Sequence, residues 1–188
     1  MSYSLTLSHV GIFVTDMARM VDFYTRFLGF AVSDRGESAG GGEIVFMTRD
    51  PREHHQLVMA SGRPAELQFN VINQLSFRVD SLGTLRELCR GLKDEAVGAI
   101  TPVTHGNALS VYFRDPEKNR VELLIDTPWY VPQPCRIPVD IFQPDEALWA
   151  SIEAHVRTLH GFKPRAEWAA EIERKIAQAT AQRQTARR

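Results

Sequence analysis

His9-Val10-Gly11-Ile12-Phe13-Val14 and Gln74-Leu75-Ser76-Phe77-Arg78-Val79 are two degenerate copies of one segment. Each is followed by a helical pattern: Met17, Met20, Phe23 and Phe27 after the first, Leu82, Leu85, Leu88 and Leu92 after the second. The apolar positions coincide and the polar ones differ. That is the mark of two related modules carrying different chemistry at equivalent places. The informative differences are His9 against Gln74 and Gln56 against Glu122.

Outward from these segments the chain reads as βαβββ twice. In the first copy a strand is expected over Leu5 to Val14, with Val10, Ile12 and Val14 on one face. Thr15-Asp16 offers an N-cap, a helix runs from Met17 to Leu28, and Gly29 stops it. Strands follow at Phe30 to Ser33, Glu43 to Thr48 and His54 to Ala60, the last two around the turn Asp50-Pro51-Arg52. Gly36 to Gly42 is a loop, and it lacks the Lys-Ser/Thr of a phosphate loop. Ser61 to Phe69 is a polar linker. The second copy has a strand over Ile72 to Val79 and a helix over Leu82 to Leu92. Its further strands are at Ile100 to Thr104, Leu109 to Arg114 and Arg120 to Ile125. One helix per four strands implies mixed sheets and excludes a Rossmann fold. The modules span 1–62 and 70–127 of a domain over 1–127.

Residues 128–188 change in style. Pro128, Pro132, Pro134, Pro138 and Pro144 predict an irregular arm along the surface. Two amphipathic helices follow, with stripes Leu148/Ile152/Val156/Leu159 and Trp168/Ile172/Ile176. These stripes should pack on their own domain or on a second copy, and a homodimer is expected because such an arm can reach a neighbour. Gly161 to Arg188 carries seven Lys/Arg and three Glu, a local +4, and reads as a solvated, fraying end.

Composition narrows the function classes. The 188 residues are 44% hydrophobic with a net charge of -1, which speaks against disorder and against general nucleic-acid binding. No apolar run approaches the ~20 residues of a membrane span. Met1-Ser2-Tyr3-Ser4 lacks the character of a signal peptide, and Cys89 and Cys135 are far apart. A cytoplasmic protein in a reducing compartment is expected.

Strand alternation then gathers the polar residues. Val121, Leu123 and Ile125 make a core face and leave Glu122 and Leu124 opposite. Val111 and Phe113 face the core, so Tyr112 points with Glu122. His9 and Gln74 oppose the helix-covered faces of their strands. Four polar groups are thus expected on one concave surface. A carboxylate between Val121 and Leu123 is costly to bury without a partner. A His and a Glu on inner strands suit a hard or borderline divalent metal. They equally describe a hydrogen-bonded pair in a filled groove.

Several motifs occur in a specific order. Ser8-His9-Val10 leads to Asp22-Phe23-Tyr24 and Leu28-Gly29-Phe30. Glu53-His54-His55-Gln56-Leu57 and His105-Gly106-Asn107 follow, then Tyr112-Phe113-Arg114-Asp115-Pro116 leading to Val121-Glu122. Over Leu7 to Ile125 the chain resembles the vicinal oxygen chelate superfamily, in particular the catalytic domain of type I extradiol dioxygenases, which cleave 2,3-dihydroxybiphenyl and catechols. The resemblance implies an α+β fold of paired βαβββ modules in a curved mixed sheet, here with a helical C-terminal extension.

It further implies Fe(II), or Mn(II) or another divalent metal, held by two histidines and a glutamate. His9 matches the first histidine and Glu122 the glutamate. Gln74 stands in place of the second histidine, and an amide oxygen is a weaker ligand. Gln56 stands where glyoxalases place a further carboxylate. His55, His105 and Tyr112 match the acid/base and substrate-orienting groups. Parity pairs His54 with Gln56 and sets His55 with Leu57 and Met59, whereas an irregular strand start would admit His55 to the pocket. The implied activity is O2-dependent cleavage of a small vicinal diol, aromatic by analogy. The rival readings are a metal-free small-molecule-binding protein and a glyoxalase-like metal-dependent isomerase or lyase.

Overall fold

The computed structural model describes residues 5–67, 69–95 and 97–185, the last three of these by backbone alone. The first module comprises β1 (Val10–Val14), α1 (Met17–Asp22), β2 (Ala31–Glu37), β3 (Glu43–Thr48) and β4 (Leu57–Ser61). The second comprises β5 (Leu75–Arg78), α2 (Leu82–Gly91), β6 (Thr101–Thr104), β7 (Ala108–Arg114) and β8 (Arg120–Asp126). The extension carries β9 (Trp129–Tyr130), β10 (Ile137–Pro138), α3 (Asp145–Val156), β11 (Lys163–Pro164) and α4 (Arg165–Thr185). The sheet orders are β1-β4-β3-β2 and β10-β6-β7-β8-β5, so each module places its last strand beside its first. The repeat legible in the sequence is therefore a repeat of topology, and the fold is α+β.

The chain forms two compact units, Met1–Leu75 with Arg114–Arg120 and Ser76–Phe113 with Val121–Arg188. In the first unit β1 runs parallel to β4, and β4, β3 and β2 are antiparallel. Ile12, Val14, Val45, Met47, Leu57 and Met59 are buried, as are Met17, Met20, Phe23 and Tyr24 of the helical segment. Asp16 caps α1 by accepting the Arg19 N–H at 3.0 Å. The expected single helix to Leu28 is α-helical only to Asp22, and Phe23–Phe27 widens into a π-turn. Gly29 ends it at φ +70°, where a side chain is disfavoured. The expected strand from Leu5 begins only at Val10, and that from His54 begins at Leu57.

The 114–120 segment closes the first unit with polar contacts. Glu117 accepts the N–H groups of Thr15 (2.6 Å) and Asp16 (2.7 Å), and Arg63 Nη1 lies 3.4 Å from its other oxygen. Tyr24 donates to Asp115 at 3.1 Å. Burial pushes the Tyr24 phenol up, and the charge of Asp115 adds to the rise. Burial also raises Asp115, against the opposing pull of its hydrogen bonds.

In the second unit Val103, Leu109, Val111, Phe113, Val121 and Leu123 are buried, as are Leu82, Leu85, Cys89 and Leu92 of the helical segment. The arm is not the irregular surface run that its prolines predict. β10 pairs antiparallel with β6, β9 pairs with β11, and Val131 and Ile141 are fully buried. Prolines are tolerated because these strands are short edges. Arg86 of α2 holds the arm by donating to Ile141 O (2.5 Å), Gln143 O (2.6 Å) and Asp145 Oδ1 (2.5 Å). The α3 stripe Leu148/Ile152/Val156 is buried as expected. Trp129 meets Trp149 edge-on at 6.3 Å, and Tyr130 stacks on Trp168. Ile176, expected in the second stripe, is exposed. The final stretch expected to fray is helical to Thr185. Among the described residues no helix is long and apolar enough to cross a membrane.

Glu117→Ala leaves the largely buried Arg63 guanidinium and two N–H groups without this acceptor. Urea melts should show a loss of roughly 2 kcal/mol. Arg26→Ala breaks only an exposed i,i+4 pair with Asp22 and should change stability by less than about 0.5 kcal/mol.

Candidate functional site

Glu122 lies in the middle of β8 and is 5% exposed. Alternation along β8 turns Val121 and Leu123 into the core and Glu122 to the other face, the one shared by Ser110 and Tyr112 of β7 and Ser76 of β5. Ser76 Oγ donates to Glu122 Oε2 at 2.6 Å, and His105 Nε2 lies 3.9 Å from Oε1. Burial alone would raise the carboxyl. The hydroxyls of Ser76, Tyr112 and Ser110 and the neighbouring His105 outweigh it and hold Glu122 below its ordinary value of 4.5. The face thus carries a buried carboxylate ringed by hydroxyls.

His105 and Tyr112, both expected at the site, are joined directly. Tyr112 Oη and His105 Nε2 are 2.9 Å apart, and His105 Nδ1 is 2.5 Å from the carbonyl of Cys135. A carbonyl only accepts, so His105 carries a proton on Nδ1 and turns Nε2 to the Tyr112 hydroxyl. The pair can take a proton at Nε2 and return it through the phenol.

Residues of the arm that no motif in the sequence singles out complete this arrangement. Gln133 donates to His105 O at 2.8 Å and accepts the Cys135 N–H at 3.0 Å, so it presents the Cys135 carbonyl to the imidazole. The Arg136 guanidinium sits 5.5 Å over the Tyr112 ring. Gly106, at φ +77°, is required by packing, since a Cβ there would collide with Val131. Ser76 and Ser110 were within reach of the alternation rule. Gln133, Cys135 and Arg136 were not, because they come from a segment of no fixed periodicity.

The remaining candidates lie in the first unit. His9 is exposed just before β1, and its ring centroid is 4.2 Å from that of His55. His55 is half-buried and also meets Phe46 at 5.1 Å. Burial, then His9 and His54, lower its pKa, so the ring is neutral at pH 7. His54 is exposed, with Nε2 3.8 Å from Asp34 Oδ2. Parity does not govern these histidines, because β4 starts only at Leu57. Gln56 has a structural role: its side chain accepts the Arg49 N–H at 2.9 Å, while its backbone bonds Met47 and Val10. Gln74 is half-buried immediately before β5. Among the described residues no group of three or more His, Cys, Asp or Glu is arranged to hold a metal. Taken singly, His9 offers an imidazole nitrogen, Gln74 an amide oxygen and Glu122 a carboxylate, the ligand types a divalent cation accepts.

Two outcomes follow from this geometry. A carboxyl lowered by folding stabilises above its ordinary value, and that stabilisation is lost as pH falls below 4.5 towards the folded-state value. Glu122→Gln should therefore flatten the acid limb of a stability–pH curve relative to the unaltered protein. Gln133→Ala should free the Cys135 segment and speed alkylation of the Cys135 thiol several-fold, whereas buried Cys89 stays protected until unfolding.

The sequence profile of the Glyoxalase/Bleomycin resistance protein/Dioxygenase superfamily matches residues 6–123. The chain is 29% identical over 131 residues to biphenyl-2,3-diol 1,2-dioxygenase 3 of Rhodococcus globerulus, a match covering 67% of this chain and 66% of that one. It is 29% identical over 124 residues to biphenyl-2,3-diol 1,2-dioxygenase 2 of the same organism, covering 63% and 62%. The chain thus spans slightly less than two thirds of the length of these relatives. A solved structure of the fosfomycin resistance protein FosX from Listeria monocytogenes, complexed with Mn(II) and 1S,2S-dihydroxypropylphosphonic acid, is similar with a TM-score of 0.54 at 19% identity, covering 66% of this chain and 95% of that one. A glyoxylase/bleomycin resistance protein/dioxygenase domain from Frankia sp. EAN1pec is similar with a TM-score of 0.55 at 22% identity, covering 67% and 100%. These likenesses show the fold. The chain belongs to the Glyoxalase/Bleomycin resistance protein/Dioxygenase superfamily.

Proposed function

We propose that this chain is a metal-dependent enzyme of the extradiol dioxygenase type, acting with O2 on a small, aromatic vicinal diol. The observation that carries the reading is the buried, ionised Glu122 beside the hydrogen-bonded His105–Tyr112 pair. A buried carboxylate held in its charged form suits a cation, and the adjoining pair is equipped to move a proton of a bound hydroxyl. The 29% identity to two biphenyl-2,3-diol dioxygenases over 131 and 124 residues supports the same chemistry.

In this proposal His9, Gln74 and Glu122 hold the metal, Fe(II) first and Mn(II) or another divalent ion otherwise. When bound, the metal draws both diol oxygens together and lowers their pKa. His105 Nε2 takes the proton released from a substrate hydroxyl, and Tyr112 Oη steadies the oxygen left behind. His55, neutral at pH 7, serves as a second proton acceptor. The active assembly is a homodimer in the cytoplasm.

Gln74 makes a clear demand on this reading. A neutral amide oxygen binds a divalent ion less well than an imidazole. Gln74→His should tighten Fe(II) binding by tenfold or more in an anaerobic titration, and Glu122→Ala should abolish it. After anaerobic Fe(II) loading, catechol or 2,3-dihydroxybiphenyl should drive O2 uptake, and His105→Ala should slow it by a factor of roughly 10² or more. Metal binding without O2 uptake would favour the isomerase or lyase reading. Diol binding with no metal requirement would favour the metal-free binding protein.

A further inference from the structure

The face that carries Glu122 continues past it. Leu124 and Asp126 follow on the same side of β8, and Arg78 follows Ser76 on β5. At that end a cavity of about 240 Å³ opens, lined among others by Arg78, Leu124, Asp126, Tyr130, Arg165 and Trp168. Three of these come from residues 128–188, beyond the stretch matched by the superfamily profile.

The charge there is unbalanced in favour of anions. Asp126 is shared between two arginines: Arg78 Nε donates at 2.9 Å and its Nη2 at 3.4 Å, and Arg165 Nη1 lies 3.0 Å away. Arg165 Nη1 also donates to Asn107 O at 3.2 Å. Two guanidiniums against one carboxylate leave the lining at +1. The single carboxylate orients both forks and cannot neutralise both. Beside them Tyr130 and Trp168 stack at 5.4 Å with 14° between their planes, which stiffens an aromatic wall. Leu124 supplies an apolar floor. The nearby Lys163 does not compete, since it is paired with Glu171 at 2.7 Å.

We propose that this cavity is a binding site for a small aromatic carboxylate. The carboxylate sits between Arg78 and Arg165, where planar forks match its two oxygens. The ring lies against Trp168 and over Leu124. The volume is below the usual range for drug-sized ligands, which sets the size at a single ring. Site formation requires the C-terminal extension, whose Arg165 and Trp168 open α4.

The test uses the full chain, with benzoate as probe and benzyl alcohol as its neutral counterpart, read by tryptophan fluorescence and by saturation-transfer NMR. Benzoate should bind saturably, at least tenfold more tightly than benzyl alcohol, and more weakly as salt rises. Arg78→Gln and Arg165→Gln should each weaken benzoate about tenfold and leave benzyl alcohol unchanged. Ala108→Phe, which fills the cavity without touching the ion pairs, should abolish binding of both. That variant and the comparison of the two ligands on the unaltered chain stand even if an arginine variant fails to fold. Equal affinity for the two ligands, no binding of benzoate at millimolar concentration, or arginine variants that bind benzoate normally would overturn the proposal. Benzoate carries no vicinal diol and the assay needs neither metal nor O2, so its outcome is separate from that of the dioxygenase reading.

Discussion

A carboxylate placed in the middle of an apolar strand organises the second half of this protein. Glu122 is taken out of water between Val121 and Leu123, and desolvation opposes its charge. What keeps it ionised is a set of hydroxyl donors on the two adjacent strands: Ser76 on β5 and Tyr112 and Ser110 on β7. Those donors are useful only if the three strands hold their register, so the electrostatics of one residue constrains the alignment of the sheet. The histidine beside it has to present the correct nitrogen, and that requirement passes outward to the arm. Gln133 holds the Cys135 carbonyl where only an N–H can meet it, which fixes the tautomer of His105.

The extension is therefore part of the site. Its arm adds a strand to the sheet edge, buries Val131 and Ile141, and is tied to α2 by the three acceptors of Arg86. A guanidinium with three short contacts to one segment gives that segment little freedom. The aromatic residues farther along complete a second, electropositive end of the same face. A superfamily fold thus gains chemistry from a segment that its shared profile does not contain, in keeping with function residing in sites built on a scaffold.

The two modules have diverged around one topology. Both put the last strand beside the first, and both cover one face with a helix. In the first module the open face carries the contacting rings His9, His55 and Phe46. In the second it carries Glu122 with hydroxyls. Gln56 has become a turn clamp where the second module has its carboxylate. The positions are equivalent, yet the first sheet brings imidazoles into contact and the second buries a carboxylate.

The repeat, the two βαβββ modules and the face on which Glu122 and Tyr112 lie were all legible in the sequence. Strand parity and helix periodicity are local properties, set by which side chains leave water. The same logic marked Cys89 and the α3 stripe as core. It failed where local rules give way to tertiary ones. The prolines of the arm argued against regular structure, but edge pairing with β6 and β11 needs few N–H donors. The helix after Met17 widens at Phe23, over the buried Phe23 and Tyr24. The choice between His54 and His55 was undecidable by parity, because those residues precede the strand and side-chain packing alone brings His55 to His9. The sequence by itself determined the topology and the chemical character of the second sheet's open face. Only the tertiary structure decided which nitrogen of His105 faces Tyr112 and which arginines converge beside Trp168, because both depend on backbone and side chains brought together from different segments of the chain.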